Sequence, residues 1–344
     1  MAKRRITLLV EPLSILLRAS HPDLKTPAIQ VIASRGDALR GASGDGSRED
    51  IDAFRCGLFG FDGGDLHPPV AALHLMGAEP GAIASDRYYL RCDPVTLSVD
   101  RVSVRMTGHG FADLDVAEQT GISRTIESAL AAGGINGLTK VASGWILALP
   151  EAVPFAFPPL SGTLGSDCSE LLPDTPGALP WKRMLNEVQM ALHECEVNQR
   201  RREKGMREVN SVWFWGGGSA PAPSELCRVG IVFSDHPLTR GLGVWNGSAV
   251  HDLADVNRGE PSNGTSEAID VLVDWEGSRI SAEADLLELE QVAHVMVNAV
   301  RREGIEMQLI DATGTGWSFD RRCARRFWRR LSQIDANSQP GNLR

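Results

Sequence analysis

The sequence lacks a run of apolar residues long enough to cross a lipid bilayer, which takes about 20 consecutive apolar residues. Basic residues at the start precede an apolar segment at residues 6–17, but Glu11 and Pro12 interrupt that segment. A secretory signal needs an unbroken apolar core and a cleavage site of small residues. We therefore expect a cytoplasmic protein that does not bind membranes.

Paired cysteines and an excess of positive charge are also missing. The six cysteines are scattered, and none forms a C-x-x-C pair or has a histidine at zinc-finger spacing. Reduced thiols in a cytosol fit this pattern best. Asp and Glu total 44 against 35 Lys and Arg, a formal net charge of −9. Such a balance disfavours a general nucleic-acid binder, although a local basic patch is compatible with it.

Short apolar segments alternate with helical patterns along the chain. Apolar residues at helical spacing predict helices over residues 184–203 and 281–302. A hairpin is expected at residues 307–319, around Gly314-Thr315-Gly316. The predicted strands lie at residues 6–10, 88–105 (two strands), 138–149, 211–215, 228–233 and 268–275. This order predicts an α/β fold with a mixed sheet and flanking helices.

A segment dense in proline and glycine at residues 153–180 is the expected lobe boundary. The sequence thus predicts an N-terminal α/β lobe over residues 1–165 and a C-terminal α/β lobe over residues 166–332. Residues 333–344 are expected to form a flexible tail.

A helix, a turn and a strand lead into three consecutive glycines. Backbone N–H groups of a glycine run approach an anion closely, and an arginine adds a planar fork that suits a phosphate or carboxylate. Tight turns and capped helix ends explain the same glycines and asparagines without a ligand. The predicted ligand-binding set consists of Asn198, Arg201, Asn210, Gly216, Gly217 and Gly218.

Two neighbouring pairs of aspartate and histidine are the alternative candidates for a metal site. They are Asp235-His236 and His251-Asp252. Loop residues distant in sequence can converge on one divalent ion, although adjacent His and Asp residues also occur as solvated or capping groups. We predict neither a bound metal nor another cofactor. A serine hydrolase is excluded because the sequence has no Gly-x-Ser-x-Gly elbow.

Six arginines cluster at residues 321–330 between apolar residues. On a helix they form cationic stripes beside one apolar face, composed of Cys323, Ala324, Phe327, Trp328 and Leu331. We expect the segment Arg321 to Arg330 to dock onto an acidic protein partner or onto the protein's own acidic surface. Binding of nucleic-acid phosphates is disfavoured by the acidic body of the chain.

Several motifs resemble a known family. Asp93-Pro94-Val95-Thr96-Leu97 with Asp100 is one signature, and a longer one runs from Leu185 through Val197-Asn198, Arg201, Gly205, Val209-Asn210-Ser211 and Trp215 to Gly218. Both resemble the bacterial RpfE-type regulatory proteins. These are in turn similar to the archaeal-type cofactor-independent phosphoglycerate mutases. Departures occur at Thr96, where His is usual, at Cys195-Glu196 in place of His-Pro, and at Glu208 in place of Pro.

The resemblance implies part of the mutase scaffold, which is alkaline-phosphatase-like, and in active members a two-metal centre with Asp and His ligands and a Ser nucleophile. This chain has Glu11-Pro12 after its first strand rather than an Asp-Gly turn. We therefore predict a regulatory or ligand-binding protein without mutase turnover, whose ligand is a phosphorylated or carboxylate small molecule. The alternatives are an active metal-dependent mutase (an isomerase) or phosphatase, and an adaptor that docks through its arginine-rich segment.

Overall fold

A computed structural model shows how these segments are arranged. It describes residues 4–11, 13, 25–39, 51–61, 68–99, 103–110, 114–141, 144–168, 171–224, 229–257, 270–277, 282–312 and 314–329. The chain forms two compact units. The discontinuous unit consists of Met1–Phe61 and Pro223–Arg344, and the inserted unit consists of Asp62–Ala222. The expected tail at residues 333–344 lies outside the described residues.

The strands assigned within the described residues are β1 (Arg5–Glu11), β2 (Asp37–Leu39), β3 (Tyr88–Val99), β4 (Val104–His109), β5 (Leu138–Val141), β6 (Gly144–Leu149), β7 (Ser211–Ser219), β8 (Ile231–Ser234), β9 (Ala249–His251), β10 (Val271–Glu276), β11 (Glu306–Ile310) and β12 (Gly316–Phe319). The α-helices are α1 (Pro27–Arg35), α2 (Ile51–Leu58), α3 (Val70–Ala78), α4 (Val116–Ala132), α5 (Leu160–Thr163), α6 (Leu179–Glu194), α7 (Glu196–Glu203), α8 (Pro237–Asn246), α9 (Ala282–Glu303) and α10 (Arg321–Ala324). Single 3₁₀ turns occur at Pro80–Ala82, Pro176–Ala178 and Leu253–Asn257.

The discontinuous unit is built on a mixed sheet with the order β2-β12-β11-β1-β10-β8-β9. Strands β11, β1, β10, β8 and β9 run parallel. At one edge, β12 pairs antiparallel with β11, and β2 pairs antiparallel with β12. Ile6, Leu8, Leu9 and Val10 of the central strand are all 0% exposed. Both faces of β1 are buried, which explains why its sequence is a continuous apolar run. The predicted mixed α/β fold is confirmed.

Helix α9 covers this sheet with the face that the sequence predicts. Leu286, Leu289, Ala293, Val297 and Val300 are buried in one cluster with the strands. Burying a leucine- or valine-sized side chain stabilises the fold by about 1.5–3 kcal/mol. The predicted helix over residues 281–302 is therefore confirmed, and its predicted cap at residue 281 lies outside the described residues.

The inserted unit is built on an antiparallel sheet around the long strand β3. Strands β6 and β4 pair with successive parts of one edge of β3, and β7 pairs with the other edge. Helix α3 packs against β3 and β7, and α4 packs against α6. The continuous helix predicted over residues 184–203 is wrong, because the chain is extended at Cys195 and divides it into α6 and α7.

The units divide the chain at residues 61/62 and 222/223, whereas composition places the boundary near residue 165. Two pairings account for the difference. Strand β3 bonds to β7, which follows it by more than 100 residues, and β1 bonds to β10 and β11 from the far end of the chain. Pairing between distant strands leaves no mark in local composition. No helix in the described part of the chain has the length and apolar character of a membrane span.

Candidate functional site

Asn198 and Asn210 both bind the backbone. The side-chain amide of Asn198 donates to the carbonyls of Leu192 (2.8 Å) and Val209 (2.7 Å), and its oxygen accepts from the Val209 N–H (3.2 Å). Asn210 accepts from the Leu97 N–H and donates to the Leu97 carbonyl, each at 2.7 Å. Asn198 thereby joins the end of α6 to the segment before β7, and Asn210 continues the pairing of β7 with β3. These contacts match the alternative in which both asparagines bind the backbone rather than a ligand.

Arg201 is a buried arginine that joins α7 to α4. Its Nη1 donates to Oε2 of Glu118 at 2.7 Å, and its Nε donates to the Arg207 carbonyl. Glu118 also completes the capping box of α4 with Asp115. Arg201 nevertheless lines a small solvent-open pocket, together with Thr96, His109 and the exposed Arg207. Two arginines, one buried and one exposed, therefore line one concavity in the inserted unit.

The three glycines lie at the other end of β7, inside the sheet. Gly217 lies seven positions after Asn210 along an extended strand, a distance of roughly 20–25 Å. Gly216 has a φ of 64°, and a Cβ on it would lie 3.0 Å from the Cβ of Val70 at the start of α3. Its lack of a side chain lets α3 approach the strand. The structure therefore brings Asn198, Arg201 and Asn210 together and places Gly216, Gly217 and Gly218 apart from them.

A buried polar cluster that sequence reasoning missed lies beside these glycines. Arg91 donates to both carboxylate oxygens of Asp93, at 3.2 and 2.7 Å, and its Nη1 lies 3.0 Å from Nδ1 of His74. The indole N–H of Trp215 also donates to Asp93, and the Arg91 guanidinium lies 5.5 Å from the centre of the Trp215 ring. The aromatic face of β7 is thus buried against an ion pair. The i, i+2 spacing of Arg91 and Asp93 on a predicted strand is the signal that would have revealed this pair.

Asp235, His236, His251 and Asp252 follow β8 and end β9, so they share the carboxyl edge of the parallel sheet. Asp235 accepts from the Leu253 N–H at 3.0 Å, and Asp252 pairs with Arg240 at 2.8 Å. The His251 ring stacks on Phe233 with ring centres 5.2 Å apart. His236 Nε2 lies 3.8 Å from Oε2 of Glu276. The proposed alternative metal ligands therefore share one edge, and each has a contact within the protein.

The same edge contains an ion pair that the sequence did not predict. Arg55 of α2 donates from Nε (3.0 Å) and Nη2 (3.3 Å) to the two carboxylate oxygens of Asp274 on β10. The side chains of Arg55 and Asp274 are 3% and 0% exposed. The Thr239 hydroxyl donates a further hydrogen bond to Asp274. Arg55 and Asp274 are 219 positions apart, so no local pattern could have joined them.

Both members of this pair are held in their charged forms. Burial by itself would raise the pKa of Asp274, but the charges of Arg55 and His236 and the hydrogen bonds from Arg55 and Thr239 lower it below its ordinary value. Burial would likewise lower the pKa of Arg55, and the charges of Asp274 and Asp52 raise it instead. The pair is therefore an ionised contact inside the protein at neutral pH.

Up to residue 329, where the described part of this segment ends, the arginine-rich segment is helical over Arg321–Ala324 alone, so the prediction of one helix continuing past Ala324 is wrong. After Ala324 the chain turns, and Arg326 pairs with Asp37 of β2, with Nη2 3.0 Å from Oδ2. This contact joins Arg326 to one acidic side chain of the same unit, and docking of the segment onto a partner stays a prediction. Phe327 and Trp328 are 80% and 67% exposed rather than packed in the core. Arg330 and Leu331 lie outside the described residues.

Among known proteins, the chain is similar to cofactor-independent phosphoglycerate mutases. It is 27% identical over 82% of its length to the 2,3-bisphosphoglycerate-independent phosphoglycerate mutase of Methanosarcina barkeri, of which it covers 68%. It is 24% identical over 81% of its length to the probable mutase of Geobacter sulfurreducens, again covering 68%. No protein-family model matches the chain. The RpfE-type resemblance stays a prediction.

A solved structure of a protein from Pyrococcus horikoshii shares the fold. The two align with a TM-score of 0.52 at 12% identity, over 92% of this chain and 86% of the other. An identity this low supports the α/β architecture alone.

The mutase similarity implies a two-metal centre, which requires several carboxylates and imidazoles converging on the ions. Ligands of open α/β sheets bind beyond the carboxyl ends of the strands, and Asp274 lies within β10 near that end. Both of its oxygens already accept hydrogen bonds from Arg55, and Asp252 pairs with Arg240. Among the described residues, a donor set neutralised in this way does not fit a two-metal centre.

Proposed function

We propose that this chain is a phosphoglycerate-mutase-like regulatory protein that binds a phosphorylated or carboxylate metabolite without mutase turnover. The observation that carries the proposal is the pocket of the inserted unit bordered by Arg201 and Arg207. Charge-assisted hydrogen bonds from guanidinium groups are the preferred means of holding phosphates and carboxylates.

The two arginines contribute differently to such a site. Arg201 is anchored by Glu118 and by the Arg207 carbonyl, so its orientation is set before a ligand arrives. Arg207 is exposed at the rim and would supply the charge that reaches the anion. A preset group loses less conformational entropy on binding than a mobile one. His109 lines the same pocket and adds an imidazole to its wall.

Calorimetry of the purified protein with 3-phosphoglycerate, inorganic phosphate and citrate tests the binding. Arg207→Ala should weaken binding about tenfold or more, since a hydrogen bond to a charged group contributes roughly 1.5–3 kcal/mol. Arg202→Ala is the matched control, because Arg202 is a nearby helix arginine that pairs with Glu208 and does not line the pocket. Equal effects of the two variants, or no binding of any of the three anions, would contradict the proposal.

Turnover is tested separately. The purified protein is incubated with 3-phosphoglycerate and with a generic phosphoester in the presence of Mn²⁺ or Zn²⁺, and we expect neither isomerisation nor hydrolysis. Activity that chelation and His236→Ala both abolish would favour the rival function, an active metal-dependent mutase or phosphatase at Asp235, His236, His251 and Asp252.

A further inference from the structure

Arg55 lies inside a shell of potential metal ligands in the discontinuous unit. It bonds Asp274 through two nitrogens, and its Nη1 lies 3.3 Å from Oδ1 of Asp52. The ligand atoms of Asp52 and His236 lie within 4.8 Å of one another. His236 in turn lies 3.8 Å from Glu276. Two carboxylates thus bind a single guanidinium group, and the imidazole of His236 and the carboxylate of Glu276 lie beside this cluster.

This donor set has the chemistry of a divalent-cation site. Carboxylate oxygens and imidazole nitrogen together suit Mn²⁺ and Zn²⁺. The carboxylate of Asp274, near the end of β10, is fully buried, so it requires a compensating positive charge. In this protein the compensating charge is a side chain of the same unit.

We propose that Arg55 is a built-in cation that occupies the position of a divalent metal ion at the carboxyl end of β10, so that the protein binds no such ion there. This inference concerns one ion pair, and it holds whether or not the pocket of the inserted unit binds a metabolite.

How easily a metal ion displaces a side chain depends on whether that side chain can lose a proton. Histidine, cysteine and lysine lose a proton when a metal competes for their place, and metal binding is then driven in part by proton release. Arginine is not deprotonated in proteins, so a metal ion would have to displace an intact guanidinium from its bonds with Asp274. A second cation beside it would meet like-charge repulsion in a desolvated site. The pair therefore excludes a metal more firmly than a titratable group would.

Arg55→Met tests the proposal, because methionine retains an apolar stem and removes the charge. The variant should gain binding of Mn²⁺, seen as a rise in melting temperature of roughly 5–10 °C at a concentration 100 times the dissociation constant. The melting temperature of the unaltered protein should not change. Arg240→Met is the matched control, since Arg240 pairs with the exposed Asp252 of the same unit. A gain in Arg240→Met equal to that in Arg55→Met overturns the proposal.

The double variant Arg55→Met/Asp274→Asn removes both charges and should fold without gaining the response to Mn²⁺. A folded Arg55→Met protein that gains no response overturns the proposal. If Arg55→Met does not fold, the proposal is tested by measuring the number of ions bound per chain in the unaltered protein after dialysis against Mn²⁺ or Zn²⁺. Fewer than about 0.1 ions per chain supports the proposal. One tightly held ion per chain that Asp274→Asn removes overturns it. Neither result depends on whether 3-phosphoglycerate binds or reacts.

Discussion

In the described part of the chain, each unit contains a buried Arg–Asp ion pair on its sheet, and these two pairs are made in different ways. Arg91 and Asp93 are neighbours on one face of β3, and His74 and Trp215 add contacts to them. Arg55 and Asp274 come from a helix and a strand 219 positions apart, and Asp52 and Thr239 complete their surroundings. The first pair depends on strand periodicity, whereas the second depends on the fold of the whole discontinuous unit.

The largest effect is expected from Asp274→Ala. The substitution removes the acceptor of two Arg55 hydrogen bonds and of the Thr239 hydroxyl in a buried site, and Arg55 keeps its longer contact with Asp52. This should lower the free energy of unfolding of the discontinuous unit by about 3–5 kcal/mol. Hydrogen exchange followed peptide by peptide would measure the loss in each unit. Protection should decrease in β10 and β8 and stay unchanged in β3 and β7. Equal loss in both units would show that the pair is not specific to its own unit.

Asp93→Ala should have a smaller effect on the inserted unit, about 2–3 kcal/mol. Arg91 retains the His74 nitrogen and the face of the Trp215 ring, so its charge is less exposed to an apolar environment. Urea unfolding compared between Asp93→Ala and Asp274→Ala gives the difference directly. A loss in Asp93→Ala larger than that in Asp274→Ala would reverse the order of the two pairs.

Gly216→Ala examines the packing of α3 beside the Arg91 pair. The residue needs a positive φ, which costs a residue with a Cβ about 1–2 kcal/mol, and the new methyl group would also meet Val70. Gly205→Ala is the control, because Gly205 has a φ of 65° and a Cβ added there would have nothing within 4 Å. Thermal unfolding should show the larger loss for Gly216→Ala. Equal losses would mean that the close approach of α3 adds nothing.

The smallest effect is expected at the exposed pair of Asp37 and Arg326. A hydrogen bond from Arg326 lowers the pKa of Asp37 below its ordinary value of 3.8. The pair therefore stabilises the protein above that pH and loses its effect as pH falls through the lowered pKa. Arg326→Ala should cost about 0.2–1 kcal/mol at neutral pH and progressively less towards pH 2, although the hydrogen bond from Arg326 to the Arg35 carbonyl does not depend on Asp37. Melting curves of both proteins between these pH values would measure the difference, which high salt should reduce.

Several elements were predictable because their signal is local. The apolar run of β1, the buried face of α9 and the hairpin of β11 and β12 each reflect burial of one short segment. The arginine-rich segment was not predictable in the same way. Its helical pattern continues to residue 331, yet Arg326 turns back to Asp37, and the chain leaves the helix after Ala324.

The candidate sites show the same limit. The sequence indicated that Asn198 and Asn210 either bind a ligand or cap the backbone. Which backbone groups they bind depends on how α6, β3 and β7 pack together. Arg55 and Asp274 carry no distinguishing pattern within their own segments.

Local periodicity along this chain was enough to indicate several of the strands and helices and which of their faces are buried. Each of these apolar patterns lies within one short segment. The tertiary structure determined which distant segments meet. These contacts form the discontinuous unit, the pocket beside Arg201, and the cluster of Arg55 with Asp52, Asp274 and His236. Such contacts depend on the packing of all elements at once, which no single segment encodes.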